Sequence, residues 1–129
     1  MAYLLFTPVA ATTLLHLTFY CLAVSALFVI VRRIAGSSNG IFAAILFGLY
    51  LPAIRAFGSD YVDGPVIAYA LLTVALGLHG LEESKRWWTL ASGIAAGLMF
   101  HSNVGALLLF PSILVWFVPL RLDGWKSMS

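Results

Sequence analysis

Residues 7 to 31 read TPVAATTLLHLTFYCLAVSALFVIV, a run without Asp, Glu, Lys or Arg that stops abruptly at Arg32 and Arg33. A helix over such a run is long enough to cross the roughly 30 Å hydrocarbon core of a bilayer. It is apolar on every side, so it has no polar face to offer water. The rest of the chain obeys the same rule: 62% of the 129 residues are hydrophobic and 9% charged, against roughly 25% charged in a soluble domain. A charge at the bilayer centre costs about 2.5 to 3.5 kcal/mol on insertion scales. Charges should therefore collect between apolar runs, and they do, at Arg32-Arg33, in RAFGSDYVD (55–63), in EESKR (82–86) and in RLDGWK (121–126). These features predict an all-α protein, a polytopic transmembrane helical bundle forming a single domain over residues 1–129.

Five helices are expected, over 8–31, 41–57, 64–81, 87–100 and 104–120. AGSSNG (35–40) reads as a loop, since Gly, Ser and Asn supply turns and a helix cap. Pro52 should kink the second helix and Pro111 lies inside the fifth. Asp63-Gly64-Pro65 should start the third, with a capping carboxylate and a proline in the first turn. HSN (101–103) interrupts the last apolar run. The fourth and fifth helices could instead form one broken hairpin that bends there, which would require the polar backbone to be buried or to line a wet cavity. The middle helices are shorter than the ~20 residues of a perpendicular span and call for tilt or local thinning. Gly93 and Gly97, in GxxxG spacing, should allow another helix of the same chain to pack closely.

If the first helix exits to the cytoplasm, Arg32, Arg33, Lys85, Arg86, Arg121 and Lys126 are cytoplasmic and Arg55 is not, the asymmetry expected of membrane proteins. Trp87, Trp88, Trp116 and Trp125 then fall near the same boundary, where indoles settle. Asp60, Asp63 and His101 share the opposite, non-cytoplasmic face.

Other function classes recede. The net charge of +2 is small and scattered, which argues against a nucleic-acid partner. Cys21 has no second cysteine to pair with, and the three histidines lie in different segments, so no metal set can be assembled. The N-terminus lacks the basic region of a signal peptide.

The candidate site residues are therefore few. Asp63 reads as a helix cap whose carboxylate is held on an aqueous rim at a helix N-terminus. Arg55 forms either a rim ion pair with Asp60 or Asp63, or a clamp on a phosphate oxygen, and the sequence does not choose. His101 is either a cap for the last carbonyls of its helix or a contact to a lipid phosphate. Ser102 and Asn103 read as caps for the following helix. His16, inside the first helix, should hydrogen-bond to a neighbouring helix. His79 reads as a C-terminal cap, and Glu82, Glu83, Lys85 and Arg86 as a solvated turn.

The order of the pieces, with RRIAGSSNG, the Asp63-Gly64-Pro65 step, KRWWTLASGIAAGLMF and the polar break at His101, resembles the GT-C membrane glycosyltransferases. The likeness is to the branch with protein O-mannosyltransferases and lipid A aminoarabinose transferases, and it covers about residues 25 to 118. It implies transfer of a sugar from a polyprenyl-phosphate donor on the non-cytoplasmic face, of a bacterial inner membrane or the endoplasmic reticulum. No cofactor beyond that lipid-linked donor is implied. Asp63 takes the place of the family's assisting acidic residue, with Arg55, Asp60 and His101 as substrate-binding groups. A histidine stands at His101 where the family often has lysine. The first external loop, which carries the family's principal carboxylate, has no counterpart, so the expectation is a partial core, inactive without the remainder of the transferase. The competing expectations are a non-catalytic membrane assembly subunit and a transporter fragment; for the latter, no internal repeat is visible.

Overall fold

The computed structural model describes residues 8–59, 63–83, 85–108, 111–113 and 115. Every regular element among them is helical: α1 (Pro8–Ala35), α2 (Ser37–Leu49), α3 (Leu51–Ser59), α4 (Asp63–Glu83), α5 (Arg86–Ser102) and a 3-10 turn at Val104–Leu108. Two of them, Val9–Ala35 and Asp63–Glu83, are long and apolar enough to cross a membrane. α2, with 13 residues, and α5, with 17, are shorter. Much of the expected fifth helix, including Trp116, lies outside the described residues, as do Arg121, Trp125 and Lys126. Two spans are thus supported by length and composition where five were expected.

α1 and α4 run parallel. Arg33 meets His79 and Glu82, and the rings of Phe19 and Tyr69 meet edge to face at 5.4 Å. Alanines on both helices let them approach along their seam: Ala26 packs with Ala75 beside Ile30 and Leu78, and Ala23 packs with Ala68 under Phe57 of α3. Association in lipid gains little from hiding apolar surface, so close packing of small side chains supplies the attraction. Leu14, Leu17, Leu90 and Ile94 remain more than half exposed, an outer surface suited to acyl chains rather than water.

Hydroxyls inside the helices are satisfied locally, as a membrane interior demands. Thr13 donates to the Val9 carbonyl at 2.9 Å, Thr18 to Leu14 at 2.7 Å and Thr73 to Tyr69 at 2.7 Å. Ser92 reaches across from α5 to the Thr73 carbonyl at 2.8 Å.

Three local expectations change. AGSSNG is not a loop: Gly36 alone makes the turn, at φ 89, a conformation glycine adopts without strain. α2 starts at once, with Asn39 donating to the Ala35 carbonyl at 2.7 Å. Gly40 is buried against α1, where an added Cβ would stand 3.0 Å from the Arg32 backbone nitrogen. Pro52 does not kink one helix but divides two. A proline at 52 cannot bond the carbonyl four residues back and clashes with it, so the chain opens at Tyr50 (φ −72, ψ 107) and restarts as α3. Finally, α5 continues through His101 and Ser102, whose hydroxyl donates back to Leu98 at 2.8 Å. Asn103 ends it and accepts from the Gly105 amide at 2.8 Å, capping the 3-10 turn as expected of it.

α4 and α5 approach closely at Gly80, where an added Cβ would lie 2.9 Å from Thr89 Oγ1 and 3.2 Å from its backbone nitrogen. Gly80→Leu is therefore expected to lower stability by about 1 to 3 kcal/mol, read as a loss of melting temperature in detergent. Gly93 and Gly97 do not play this part. Both are exposed, and nothing described stands against either.

Candidate functional site

Asp63 opens α4 as its first residue rather than preceding it, followed by the buried Gly64 and then Pro65. In the first turn the amide that proline lacks has no intrahelical partner to lose. Gly64 is required by packing: an added Cβ would stand 3.0 Å from Phe57 Cδ1. Phe57 is 3% exposed and meets the Tyr20 ring edge to face at 5.4 Å. The phenyl ring thus fixes the start of α4 against α3 and α1. Tyr20, through its hydroxyl, donates to the Gly48 carbonyl and ties α1 to the end of α2.

A cavity of about 300 Å³ opens beside this junction, lined by Thr13, His16, Leu17 and Tyr20 of α1 and by Ile54, Phe57 and Gly58 of α3. Its depth can be read from the register of the two parallel helices. Contacts between α1 and α4 join residues 46 to 50 apart in sequence, at Arg33 with His79 and at Phe19 with Tyr69. The same offset brings Asp63 level with residues 13 to 17, the α1 wall of the cavity. An apolar cavity of this size carrying a few polar groups has the character of a small-molecule site.

The other expected site residues are distributed around it. Arg55 is exposed on α3, between Ile54 and Phe57. His101 is exposed in the last turn of α5. That turn reaches the same end of the bundle, since Met99 packs with Val66, three residues into α4 from Asp63. Asp60 lies outside the described residues. Arg55, Asp63 and His101 share one end of the structure without lining the cavity itself. Among the described residues, Asp63 is the carboxylate at this end, Glu82 and Glu83 being at the other.

The sequence marks His16 as a helix-to-helix hydrogen bonder and carries no sign that links it with Asp63. The level match depends on contacts between residues about fifty apart, and no local pattern encodes it. The cluster at the far end has no local sequence pattern either. His79 is not a simple cap: Arg33 donates to its Nδ1 and to Glu82, and its ring packs on Trp88 with centroids 4.8 Å apart. The neighbouring turn is likewise bonded, with Glu83 accepting from Trp88 Nε1 at 3.0 Å and pairing with Lys85 at 3.0 Å.

No curated protein and no solved structure matches the chain. A family does: dolichyl-phosphate-mannose-protein mannosyltransferase, over residues 2–127. The match agrees with the resemblance carried by the Arg-Arg turn, the Asp-Gly-Pro step and the Trp-Trp helix, and with two helices able to cross a membrane. By a match that runs over nearly its whole length, the chain belongs to the dolichyl-phosphate-mannose-protein mannosyltransferase family.

Proposed function

We propose that the chain is part of the core of an integral membrane glycosyltransferase of GT-C type that takes a sugar, mannose by the family's name, from a polyprenyl-phosphate donor on the non-cytoplasmic face. The observation that carries this reading is the cavity beside Asp63, in a chain of this family. The apolar wall of Leu17, Ile54 and Phe57 suits the first isoprenyl units of the donor. Thr13, His16 and Tyr20 supply hydrogen-bonding groups toward its polar end. Arg55 and His101 contact the phosphate, a task to which a guanidinium is well matched. Asp63 and Asp60 face the acceptor.

In the transfer itself an acceptor hydroxyl forms a bond to the anomeric carbon of the sugar, the bond from that carbon to the phosphate oxygen breaks, and the polyprenyl phosphate departs. The hydroxyl must shed a proton. Asp63 is the assisting acidic residue here, holding that hydroxyl and easing the proton away. The proton passes to the principal carboxylate, which the remainder of the transferase core supplies.

The test is transfer of mannose from dolichyl-phosphate-mannose to an acceptor peptide in membranes that contain the chain within its complete transferase. Replacing Thr13 by Trp should fill the cavity and raise the KM for the donor about tenfold or more, with the chain still present in the membrane. An unchanged KM would remove the cavity from the donor path. A second reading, a membrane assembly subunit without chemistry, draws on Gly93 and Gly97 at the exposed face of α5. Under that reading the Thr13→Trp exchange leaves transfer untouched, and large residues at 93 and 97 abolish assembly.

A further inference from the structure

The end of the bundle away from Asp63 carries a second cavity, of about 360 Å³, lined by Val29, Arg32, Arg33, His79 and Glu82. Arg33 is held from two sides. Its Nη1 donates to Glu82 and its Nη2 to His79, with 17% of its side chain exposed. Arg32 stands differently: its guanidinium carbon lies 5.9 Å from the Phe28 ring centroid, and the residue is exposed. Two arginines therefore line one cavity that has one carboxylate among its walls. That carboxylate is loosely held, since 57% of the Glu82 side chain is exposed.

We propose that this cavity binds the phosphate of an anionic phospholipid. Arg32 and Arg33 hold the phosphate oxygens, and Val29, one turn deeper on α1, begins the apolar track for an acyl chain. Guanidinium pairs are well suited to phosphate, and basic pockets between helices at a membrane boundary bind anionic head groups. A lipid is favoured over free phosphate by position. The cavity lies where α1, long and apolar enough to cross a membrane, meets its terminal Arg pair, with the Trp88 ring packed on its His79 wall, the place where phospholipid head groups would sit. The bound phosphate takes the place of Glu82 on Arg33, so Glu82 acts as an internal competitor.

The experiment uses the purified chain in neutral detergent, with retained lipid counted by native mass spectrometry. Phosphatidylglycerol should be retained over phosphatidylcholine about fivefold or more. Arg32→Gln should abolish this preference, and Glu82→Gln, which removes the competitor, should strengthen it about fivefold. Arg86→Gln, an exposed basic residue outside the cavity, should leave it unchanged. Equal losses in Arg32→Gln and Arg86→Gln would reduce the preference to diffuse surface charge and overturn the proposal. So would a weaker preference in Glu82→Gln, a reading that stands even if the Arg32 variant fails to fold. Inorganic phosphate that displaces the phosphatidylglycerol completely would overturn the assignment to a lipid.

Discussion

Exchanging Asp63 for asparagine is expected to slow the proposed sugar transfer about a hundredfold while barely moving the melting temperature. The two effects separate because asparagine keeps the structural half of the role. Asn and Asp are near-equal at helix starts, and the loss of charge from the first turn of α4 costs roughly 0.3 to 1 kcal/mol at an exposed position. What asparagine cannot do is take up or strongly attract a proton. Positioned acid-base groups contribute typically 10² to 10⁴ in rate, and an assisting group belongs near the lower end. With Asp63 in the proposed role on the acceptor, kcat should fall and the KM for the lipid-linked donor should stay put. Glu82→Gln, at the opposite end of α4, is the matched control and should leave transfer unchanged. Full activity in Asp63→Asn would return the residue to a purely structural role.

The two helices able to cross a membrane are legible because their ends are written in charge. α1 ends where Arg32 and Arg33 follow an uninterrupted apolar run, and α4 lies between Asp63 and Glu83. Such boundaries follow from the cost of burying charge in lipid, which depends on composition alone. The failures come where a contact distant in sequence overrides local preference. SSNG has the composition of a loop, yet it is the first turn of α2, because Gly36 turns the chain and Gly40 lets that helix rest on the Arg32 backbone. The spacing of Gly93 and Gly97 suggested internal packing, and the close contact falls at Gly80 instead. In the site, Asp63 as a helix start was readable from Gly64 and Pro65. The cavity was not, because its walls come from α1 and α3, and the Phe57 ring that joins them to α4 carries no signature among so many aromatic residues.

That ring gives the second large effect. Phe57→Ala is expected to destabilise the bundle by about 3 to 5 kcal/mol, the usual cost of deleting a buried phenyl group. Phe57 is 3% exposed, packs with Ala23 and Ala68 and meets Tyr20 edge to face, so its removal leaves a void at the meeting of α1, α3 and α4. The decisive comparison pairs it with Gly64→Ala. Alone, Gly64→Ala sets two terms against each other: alanine favours helix over glycine by about 1 kcal/mol, but its Cβ would lie 3.0 Å from a ring wedged among buried neighbours. Overpacking in such places typically costs about 1 to 3 kcal/mol, so the single variant should be neutral to destabilised. In the Phe57→Ala background the clash is gone and the helix term alone remains, so the same change should stabilise. The two substitutions should therefore couple by about 1 to 3 kcal/mol, measured by reversible unfolding in mixed micelles. Additive effects would mean that the Phe57 ring does not hold the first turn of α4, and with it Asp63, beside the cavity.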